Sequence, residues 1–408
     1  MSGPPAPGTN GRARLEAWWA EGALVRPDAG AATSVDLARA LAAAVGAPGP
    51  PLTPAAAAIA DALDSPEHLV LVLIDGLGLE LVRRLPPDRW LPRARNLPLR
   101  AVFPSATASA LTSLATGLSP AEHGVPGWWT YLPERALTVT TLPCVERFSG
   151  QPFDALGLTL GDVYPAGSLL AGYPRDAAAW QPAAIAGSPY SRWALGERTS
   201  RGYDAFEAAV DAVVERVDTA VGPTYTYLYA SALDTLQHDL GADDPAVLTL
   251  ALEFDRALAR LAAGLAGRAR LVVTADHGQV TIPEAGKTLL APGDPLLDLL
   301  LVPPTGEPRA PLLHARPGRR DDLARAFEAR LGDRWALVPV DDAEALGLFG
   351  PAPLAPRTRA RVGDFVALAR GREVICYAPP TGHNGTAKLR GYHGGLLAAE
   401  VEIPLVVA

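Results

Sequence analysis

The chain contains few cysteines, few lysines and no long apolar run. Only two of its 408 residues are cysteines, Cys144 and Cys376, and they lie far apart with no spacing typical of a metal knuckle. We therefore expect two unpaired thiols in a reducing compartment, and a cytoplasmic protein. The first residues lack the apolar core of a signal peptide, and no run reaches the roughly 18–20 residues that cross a bilayer. The sequence thus predicts no membrane partner.

Positive charge comes almost entirely from arginine, since Lys287 and Lys388 are the only lysines among 36 basic residues. The 44 acidic residues give a formal net charge of −8. No basic stripe suited to neutralising a phosphate backbone is present, which argues against a nucleic-acid scaffold role. Hydrophobic residues make up 49% and charged residues 20% of the chain, values typical of a globular protein. Composition leaves the oligomeric state open.

Short apolar runs alternate with helical stretches along the chain. The runs that predict buried strands are 68–74, 224–230, 270–275, 365–369 and 401–408. The clearest helical stretches are 107–116 and 246–265. This alternation predicts an α/β fold with a doubly wound, mostly parallel sheet flanked by helices.

Two regions fit the alternation poorly and predict insertions on this sheet. Residues 127–203 hold four tryptophans among many prolines and glycines, and residues 283–386 mix proline-rich loops with short strand-like and helical pieces. We predict an N-terminal leader and helical segment over 1–63, and one domain over 64–408 whose two insertions form a cap or lid. The tryptophans could line a pocket that stacks a base, or could form the core of the lid.

Acidic and imidazole side chains follow two of the predicted strands. Asp75 ends the first strand, and Asp276 and His277 end the run LVVTA. Ligands of open α/β sheets bind outside the carboxyl ends of strands, so these positions favour a site. An Asp-Gly turn is the alternative for Asp75. Adjacent Asp276 and His277 are costly in a buried position unless they are paired or bind a metal.

Three further positions carry groups suited to metal or phosphate chemistry. Thr107 opens a helix after a proline turn, where backbone amides favour a phosphate, although a simple helix cap is an alternative. Asp234 and His238 are four residues apart and can face one way on a helix. His393 lies in the glycine-rich GYHGG, which could also be an ordinary turn.

Together these positions predict a centre with two metal ions. The set contains three carboxylates, three imidazoles and one hydroxyl: Asp75, Thr107, Asp234, His238, Asp276, His277 and His393. Mixed nitrogen and oxygen ligands favour zinc, with manganese as the alternative. Two ions about 3.5–4 Å apart are typical of enzymes that displace groups at phosphorus.

Five motifs resemble one known family. VLVLIDGLG, FPSATASALTSLATGLSPAEHG, ALDTLQHDLG, VVTADHGQ and GYHGGL followed by EVEIPLVV occur in the order seen in the nucleotide pyrophosphatase/phosphodiesterase branch of the alkaline phosphatase superfamily. The resemblance covers roughly 69–124, 224–280 and 391–408. It implies an alkaline phosphatase-like core and a small phosphate ester or nucleotide as substrate.

The resemblance also implies a role for each residue of the set. One divalent ion would be held by Asp75, Asp276, His277 and the hydroxyl of Thr107, and a second by Asp234, His238 and His393. Thr107 would attack phosphorus and form a threonyl-phosphate intermediate. The protein would then be a two-metal phosphodiesterase or nucleotide pyrophosphatase.

One departure from the family puts the diester preference in doubt. The family usually has an asparagine that donates to a phosphate oxygen, and here that position falls on or beside Trp128. Losing such a donor can cost about 3–4 kcal/mol of transition-state stabilisation. Ser105, Ser109, Asn384 or the Trp128 indole are the candidate replacements. The alternatives are therefore a phosphomonoesterase or phosphonate hydrolase on the same core, or a catalytically degenerate metal-binding protein that recognises phosphorylated ligands.

Overall fold

The computed structural model describes residues 9–27, 30–379 and 385–408. Its strands, numbered in chain order, are β1 (Ala32–Thr33), β2 (His68–Ile74), β3 (Asn96–Arg100), β4 (Trp129–Leu132), β5 (Leu137–Thr140), β6 (Val145–Glu146), β7 (Asp176–Pro182), β8 (Thr199–Tyr203), β9 (Thr224–Ala230), β10 (Arg270–Thr274), β11 (Val280–Thr281), β12 (Lys287–Leu290), β13 (Thr305–Glu307), β14 (Ala310–Leu313), β15 (Trp335–Pro339), β16 (Phe365–Ala369), β17 (Val374–Tyr377), β18 (Gly391–Tyr392) and β19 (Glu402–Val407).

The helices of the same residues are α1 (Thr9–Ala20), α2 (Ser34–Ala44), α3 (Pro54–Leu63), α4 (Leu79–Arg84), α5 (Trp90–Arg93), α6 (Thr107–Thr116), α7 (Pro120–His123), α8 (Leu160–Val163), α9 (Pro189–Ala194), α10 (Phe206–Asp218), α11 (Ala232–Leu240), α12 (Pro245–Leu265), α13 (Pro295–Leu299), α14 (Arg320–Leu331), α15 (Val340–Ala345), α16 (Pro356–Val362), α17 (Gly385–Lys388) and α18 (Ala398–Val401).

The centre of the fold is an eight-stranded sheet in the order β1-β3-β19-β10-β2-β9-β7-β8. Every neighbouring pair is parallel except those that β19 makes with β3 and β10. Strand β2, with the sequence HLVLVLI, is buried on both faces, as expected for a strand between two helical layers. The predicted mostly parallel α/β fold is confirmed.

A second sheet is antiparallel and takes strands from both predicted insertions. Its order is β15-β16-β14-β13-β4-β5-β6, and the two insertions meet where Gly306 of β13 pairs with Trp129 of β4. The apolar run at Phe365–Ala369, which the alternation placed among the core strands, is β16 of this second sheet. An apolar run predicts a buried strand and does not tell which sheet buries it.

The central sheet extends beyond the boundaries expected from sequence. Strands β7 and β8 lie within the stretch 127–203 yet pair with β9 and with each other in the central sheet. The segment before residue 64 is also integrated, because β1 pairs with β3 and residues of α2 and α3 belong to the main hydrophobic core. The insertion is thus shorter than expected, and the described N-terminal residues are part of the fold.

Two smaller expectations concern the cysteines and the membrane. Cys144 and Cys376 are both buried and unpaired, as expected. Within the described residues, none of the helices combines the length and the apolarity needed to cross a bilayer.

Candidate metal centre

Three adjacent parallel strands bring the acidic residues to one edge of the central sheet. The strands lie in the order β10-β2-β9. Asp276 follows β10, Asp75 follows β2, and Asp234 lies in the first turn of α11, just after β9. The carboxyl ends of parallel strands meet at a common edge, which is where open α/β sheets bind their ligands.

The first group of polar side chains surrounds the imidazole of His277. Its Nε2 lies 3.4 Å from Asp75 Oδ1 and 3.5 Å from Asp276 Oδ2. The Thr107 hydroxyl, at the first residue of α6, lies 3.1 Å from the same nitrogen. All four side chains are buried.

The second group surrounds the carboxylate of Asp234. Its Oδ1 lies 3.4 Å from His238 Nε2 and 3.9 Å from His393 Nε2. One ligand atom from each of these three residues lies within 4.8 Å of the others, and the same holds for Asp75, Asp234 and His277. The imidazoles of His277 and His393 stack with ring centroids 3.7 Å apart. The two groups therefore adjoin, and Asp234 lies between them.

Backbone carbonyls fix the orientation of all three imidazoles. The Nδ1 of His277 lies 3.1 Å from the carbonyl of Gly278, that of His238 lies 2.8 Å from Gly391, and that of His393 lies 3.2 Å from Ser105. A carbonyl oxygen only accepts, so each Nδ1 carries the proton and donates. Each Nε2 lone pair is left facing the carboxylates, as in metal-binding histidines.

The carboxylates leave buried oxygens that suit a cation. Among the residues that the structure describes, Asp75 Oδ1, Asp234 Oδ1 and Asp276 Oδ2 are buried without a hydrogen-bond partner. An unpaired buried carboxylate oxygen costs free energy unless a cation or a donor satisfies it. Three such oxygens and three oriented Nε2 atoms form a donor set that fits two divalent ions.

The protonation equilibria also indicate a site that needs positive charge. Burial raises the pKa of Asp75 well above its usual value, and repulsion from Asp276 and Asp234 raises it further. Burial likewise raises the pKa of Asp234, although His238 and His277 oppose this. The pKa of His393 is lowered by burial and by the two neighbouring imidazoles. A bound cation would lower the pKa of both carboxyl groups and keep His393 neutral, because it stabilises carboxylates and neutral imidazoles.

Tyr229 is a site residue that the sequence reasoning missed. It is near the end of β9, and its hydroxyl donates to Asp75 Oδ2 at 2.5 Å. The bond uses the oxygen of Asp75 that does not face His277, so it orients the other oxygen toward the centre. Three tyrosines alternate in TYTYLYA, but alternation alone does not show which hydroxyl reaches a carboxylate.

We expect Tyr229→Phe to lower metal affinity and kcat by about 10-fold to 100-fold, because partners that orient a metal ligand have effects of this size. The matched control is Tyr227→Phe, which removes a hydroxyl from the same face of the same strand without a bond to Asp75. Zinc titration and steady-state kinetics measure both effects. Equal losses in the two variants would show that the Asp75 contact is unimportant.

The four candidate phosphate donors are placed differently. The Ser105 hydroxyl donates to the carbonyl of Gly395 at 2.8 Å, and the Ser109 hydroxyl donates to that of Val125 at 3.0 Å. Both protons are thus used within the fold. Trp128 lies on the wall of the cavity that also contains Thr107. Asn384 lies outside the described residues.

Two buried acidic residues near the site also went unnoticed in the sequence. Glu307, in β13, accepts the backbone N–H of Trp128 at 2.6 Å, and burial raises its pKa to about 8. Glu400 accepts the backbone N–H of Gly395 at 2.8 Å and thereby holds the loop that carries His393. The contact of Glu307 joins segments far apart in the chain, and Glu400 lies in the motif EVEIPLVV, whose pattern does not show that its carboxylate turns back to Gly395.

The fold and the site place the protein in a class. A mostly parallel α/β sheet with Asp and His side chains gathered at its carboxyl edge is the arrangement of alkaline phosphatase-like hydrolases of phosphate esters. The family model of type I phosphodiesterase/nucleotide pyrophosphatase matches residues 69–396, and the chain belongs to this family. A search of curated protein sequences finds no match.

Solved structures with the same fold include two enzymes. Murine ectonucleotide pyrophosphatase/phosphodiesterase 5 is 17% identical, with a TM-score of 0.61 over 83% of this chain and 87% of that chain. An inactive threonine-to-alanine variant of that protein has been solved in complex with AMP. Phosphonoacetate hydrolase from Sinorhizobium meliloti 1021, in complex with phosphonoformate, is 19% identical, with a TM-score of 0.57 over 84% of this chain and 90% of that chain.

Proposed function

We propose that the protein is a two-metal phosphodiesterase whose nucleophile is Thr107. One observation carries the proposal: the Thr107 hydroxyl opens α6 and lies 3.1 Å from His277 Nε2, beside three carboxylates with unpartnered buried oxygens. A nucleophilic hydroxyl needs a group that removes its proton and a charge that stabilises the resulting oxyanion. A cation held by these carboxylates would favour loss of the Thr107 proton and would stabilise the oxyanion that forms.

Two divalent ions would complete the site, one with Asp75, Asp276, His277 and Thr107 and the other with Asp234, His238 and His393. When bound, such ions lower the pKa of a coordinated hydroxyl or water and stabilise the charge that develops on the leaving oxygen. The mixture of imidazole and carboxylate ligands favours zinc, with manganese as the alternative.

The residues of this chain bind the substrate and carry the covalent step. The phosphate group would rest at the N-terminus of α6, where the first backbone N–H groups have no partner within the helix. Thr107 Oγ1 loses its proton and forms a bond to phosphorus as the bond to the leaving oxygen breaks, and the leaving oxygen takes up one proton and departs as an alcohol. Water then forms the new bond to phosphorus, the Thr107 oxygen is released, and its hydroxyl is restored.

A phosphonate hydrolase is the second candidate. Among the described residues near Thr107, no asparagine takes the place of the family asparagine. The hydroxyls of Ser105 and Ser109 donate to backbone carbonyls, so their protons are not available to a phosphate. Both observations favour this candidate. Fewer donors to the phosphate would weaken the discrimination between a diester and a smaller phosphonate.

Turnover of three substrates by the zinc-loaded protein tests the proposal: bis-p-nitrophenyl phosphate, p-nitrophenyl phosphate and phosphonoacetate. We expect the diester to have the highest kcat/KM, and we expect chelation to abolish activity and zinc or manganese to restore it. A preference for phosphonoacetate would favour the second candidate. Metal binding at two equivalents without turnover of any substrate would indicate a degenerate binding protein and overturn the proposal.

A further inference from the structure

A cavity of about 430 Å³ opens directly from the proposed metal centre. Asp75, Thr107 and Asp234 are part of its lining, and most of the other lining residues do not belong to the metal centre. Cavities of about 300–1,000 Å³ are typical of sites that enclose a small organic ligand. The cavity therefore has room for the organic part of a substrate.

The cavity extends along two elements of the fold, α6 and β9. On α6 the lining residues are Thr107, Leu111, Leu114 and Ala115, which share one face over about 12 Å of helix. On β9 they are Tyr225, Tyr227 and Tyr229, which alternate along about 13 Å of strand. The first residue of α6 and the end of β9 that carries Tyr229 both lie at the metal centre, so the cavity runs inward from the centre.

The wall is mainly apolar away from the centre. Beyond the helix face, leucines from five other segments contribute to the lining: Leu41, Leu71, Leu142, Leu170 and Leu195. The polar exceptions are Gln181, Ser188, Ser191 and Ser231, and the buried Oε1 of Gln181 has no partner among the described residues. The rings of the lining tyrosines add apolar area, which suits an aliphatic group. A charged or highly polar organic group would lose its hydration here without adequate compensation.

Attack geometry decides which part of the substrate enters the cavity. The attacking and leaving oxygens lie roughly in line on opposite sides of phosphorus. Thr107 attacks from the α6 side, so the leaving group points away from α6. The cavity follows α6 back from Thr107, and it can therefore hold only a substituent that remains on phosphorus after the first step.

We infer that the protein acts on amphiphilic phosphodiesters, in which a linear alkyl chain of about ten carbons fills this cavity and stays on the phosphate product. The inference rests on the proposed function and names its substrate class. In the reaction Thr107 displaces the smaller alcohol, and water then releases the monoalkyl phosphate. A nucleoside in the same cavity is the competing outcome.

The length of the alkyl group on the substrate tests the inference. The substrates are p-nitrophenyl alkyl phosphates with methyl, butyl, octyl and hexadecyl groups, each below its micelle concentration, and each releases p-nitrophenol. We expect kcat/KM to rise by up to about fourfold per added CH2, so that octyl exceeds methyl by at least about 100-fold, and then to level off. A flat series, a rise that continues to hexadecyl, or faster turnover of the p-nitrophenyl ester of thymidine 5′-phosphate would overturn the inference.

A blocking variant links the effect to the cavity. Ala115→Phe places a ring into the lining about two turns beyond Thr107, and we expect it to reduce the octyl-to-methyl ratio of kcat/KM at least tenfold. The matched control is Ala58→Phe, at an exposed position of α3, which should leave both rates unchanged. An unchanged octyl-to-methyl ratio in Ala115→Phe would show that the alkyl chain of the substrate does not bind in this cavity.

A binding measurement distinguishes failure of the cavity inference from failure of the proposed phosphodiesterase function. Calorimetry with the zinc-loaded Thr107→Ala protein compares octylphosphonate with methylphosphonate and does not depend on turnover. Tighter octyl binding by at least about 100-fold, without hydrolysis of any ester by the native protein, would support the cavity and contradict the proposed function. Turnover with equal binding of the two phosphonates would support the function and contradict the inference.

Discussion

Thr107→Ala is expected to lower kcat for a phosphodiester by at least about 10⁴-fold while zinc binding and the fold are retained. Removal of a nucleophile that forms a covalent intermediate typically has effects of this size, because the remaining groups act in concert with it. The three carboxylates and three imidazoles remain, so most of the metal ligands are unchanged. Rapid-quench and steady-state assays with p-nitrophenyl esters measure the loss.

The position of Thr107 makes this substitution a clean test. The N-cap of α6 is Ala106, so Thr107 makes no side-chain cap, and alanine is the better helix former at this position. The free energy of unfolding should therefore change by less than about 1 kcal/mol. Thr107→Ser, which keeps the hydroxyl, is expected to retain activity within about 100-fold of the native protein.

A second variant controls for loss of a hydroxyl from the same helix. Thr112 lies in α6, is fully buried, and donates to the carbonyl of Ala108 at 2.7 Å rather than facing the centre. Thr112→Ala should keep native kcat. If Thr107→Ala retained more than a tenth of native kcat, the reaction would proceed by direct attack of water, and the threonyl-phosphate intermediate would be excluded.

The sequence located most of the candidate site because its residues are encoded locally. Asp75 and Asp276 directly follow apolar runs that form β2 and β10, and the sheet alone then brings them together. The motifs ALDTLQHDLG and GYHGGL gave Asp234, His238 and His393, and the proline turn before α6 gave Thr107. In these cases a short stretch of chain specifies both the strand end and the chemical group.

Contacts between distant segments could not be predicted. The bond from Tyr229 to Asp75 depends on the register of β9 against β2, and that from Glu307 to Trp128 joins two insertions. The strands β7 and β8 were missed because DAAAWQP and TSRGY lack the β-branched apolar character of a core strand. Strand β7 joins the sheet by pairing with β9, and β8 joins it by pairing with β7, so neither is identified by its own pattern.

Arg309→Met is expected to lower the free energy of unfolding by about 3–5 kcal/mol, the range for breaking a buried ion pair by removing one partner. The side chains of Arg309 and Glu400 are fully buried and form two parallel bonds, with Nε to Oε1 at 2.9 Å and Nη2 to Oε2 at 2.7 Å. The variant leaves the carboxylate of Glu400 buried without its counter-ion. Chemical denaturation of the zinc-loaded protein measures the loss.

Two controls separate charge from packing. Arg319→Met removes an arginine that pairs with Asp322 at 2.6 Å, but this arginine is about half exposed, so the loss should stay below about 1 kcal/mol. The double variant Arg309→Met/Glu400→Gln has no buried charge and keeps an oxygen that can accept the N–H of Gly395. It should be more stable than Arg309→Met alone. If it is not, the single variant is destabilised by lost packing and not by an unpaired charge.

The ion pair of Arg309 and Glu400 should also influence the metal centre, because Glu400 holds the two loops that carry His277 and His393. Its carboxylate accepts the N–H of Gly395, two residues after His393, and its backbone carbonyl accepts the N–H of Gly278, next to His277, at 2.8 Å. Arg309 fixes Glu400, so we expect Arg309→Met to weaken zinc binding by about 10-fold to 100-fold as well. Arg319→Met should leave zinc affinity unchanged. A loss of stability with native zinc affinity would mean that the loops keep their geometry without the ion pair, and that Arg309 contributes to the fold alone.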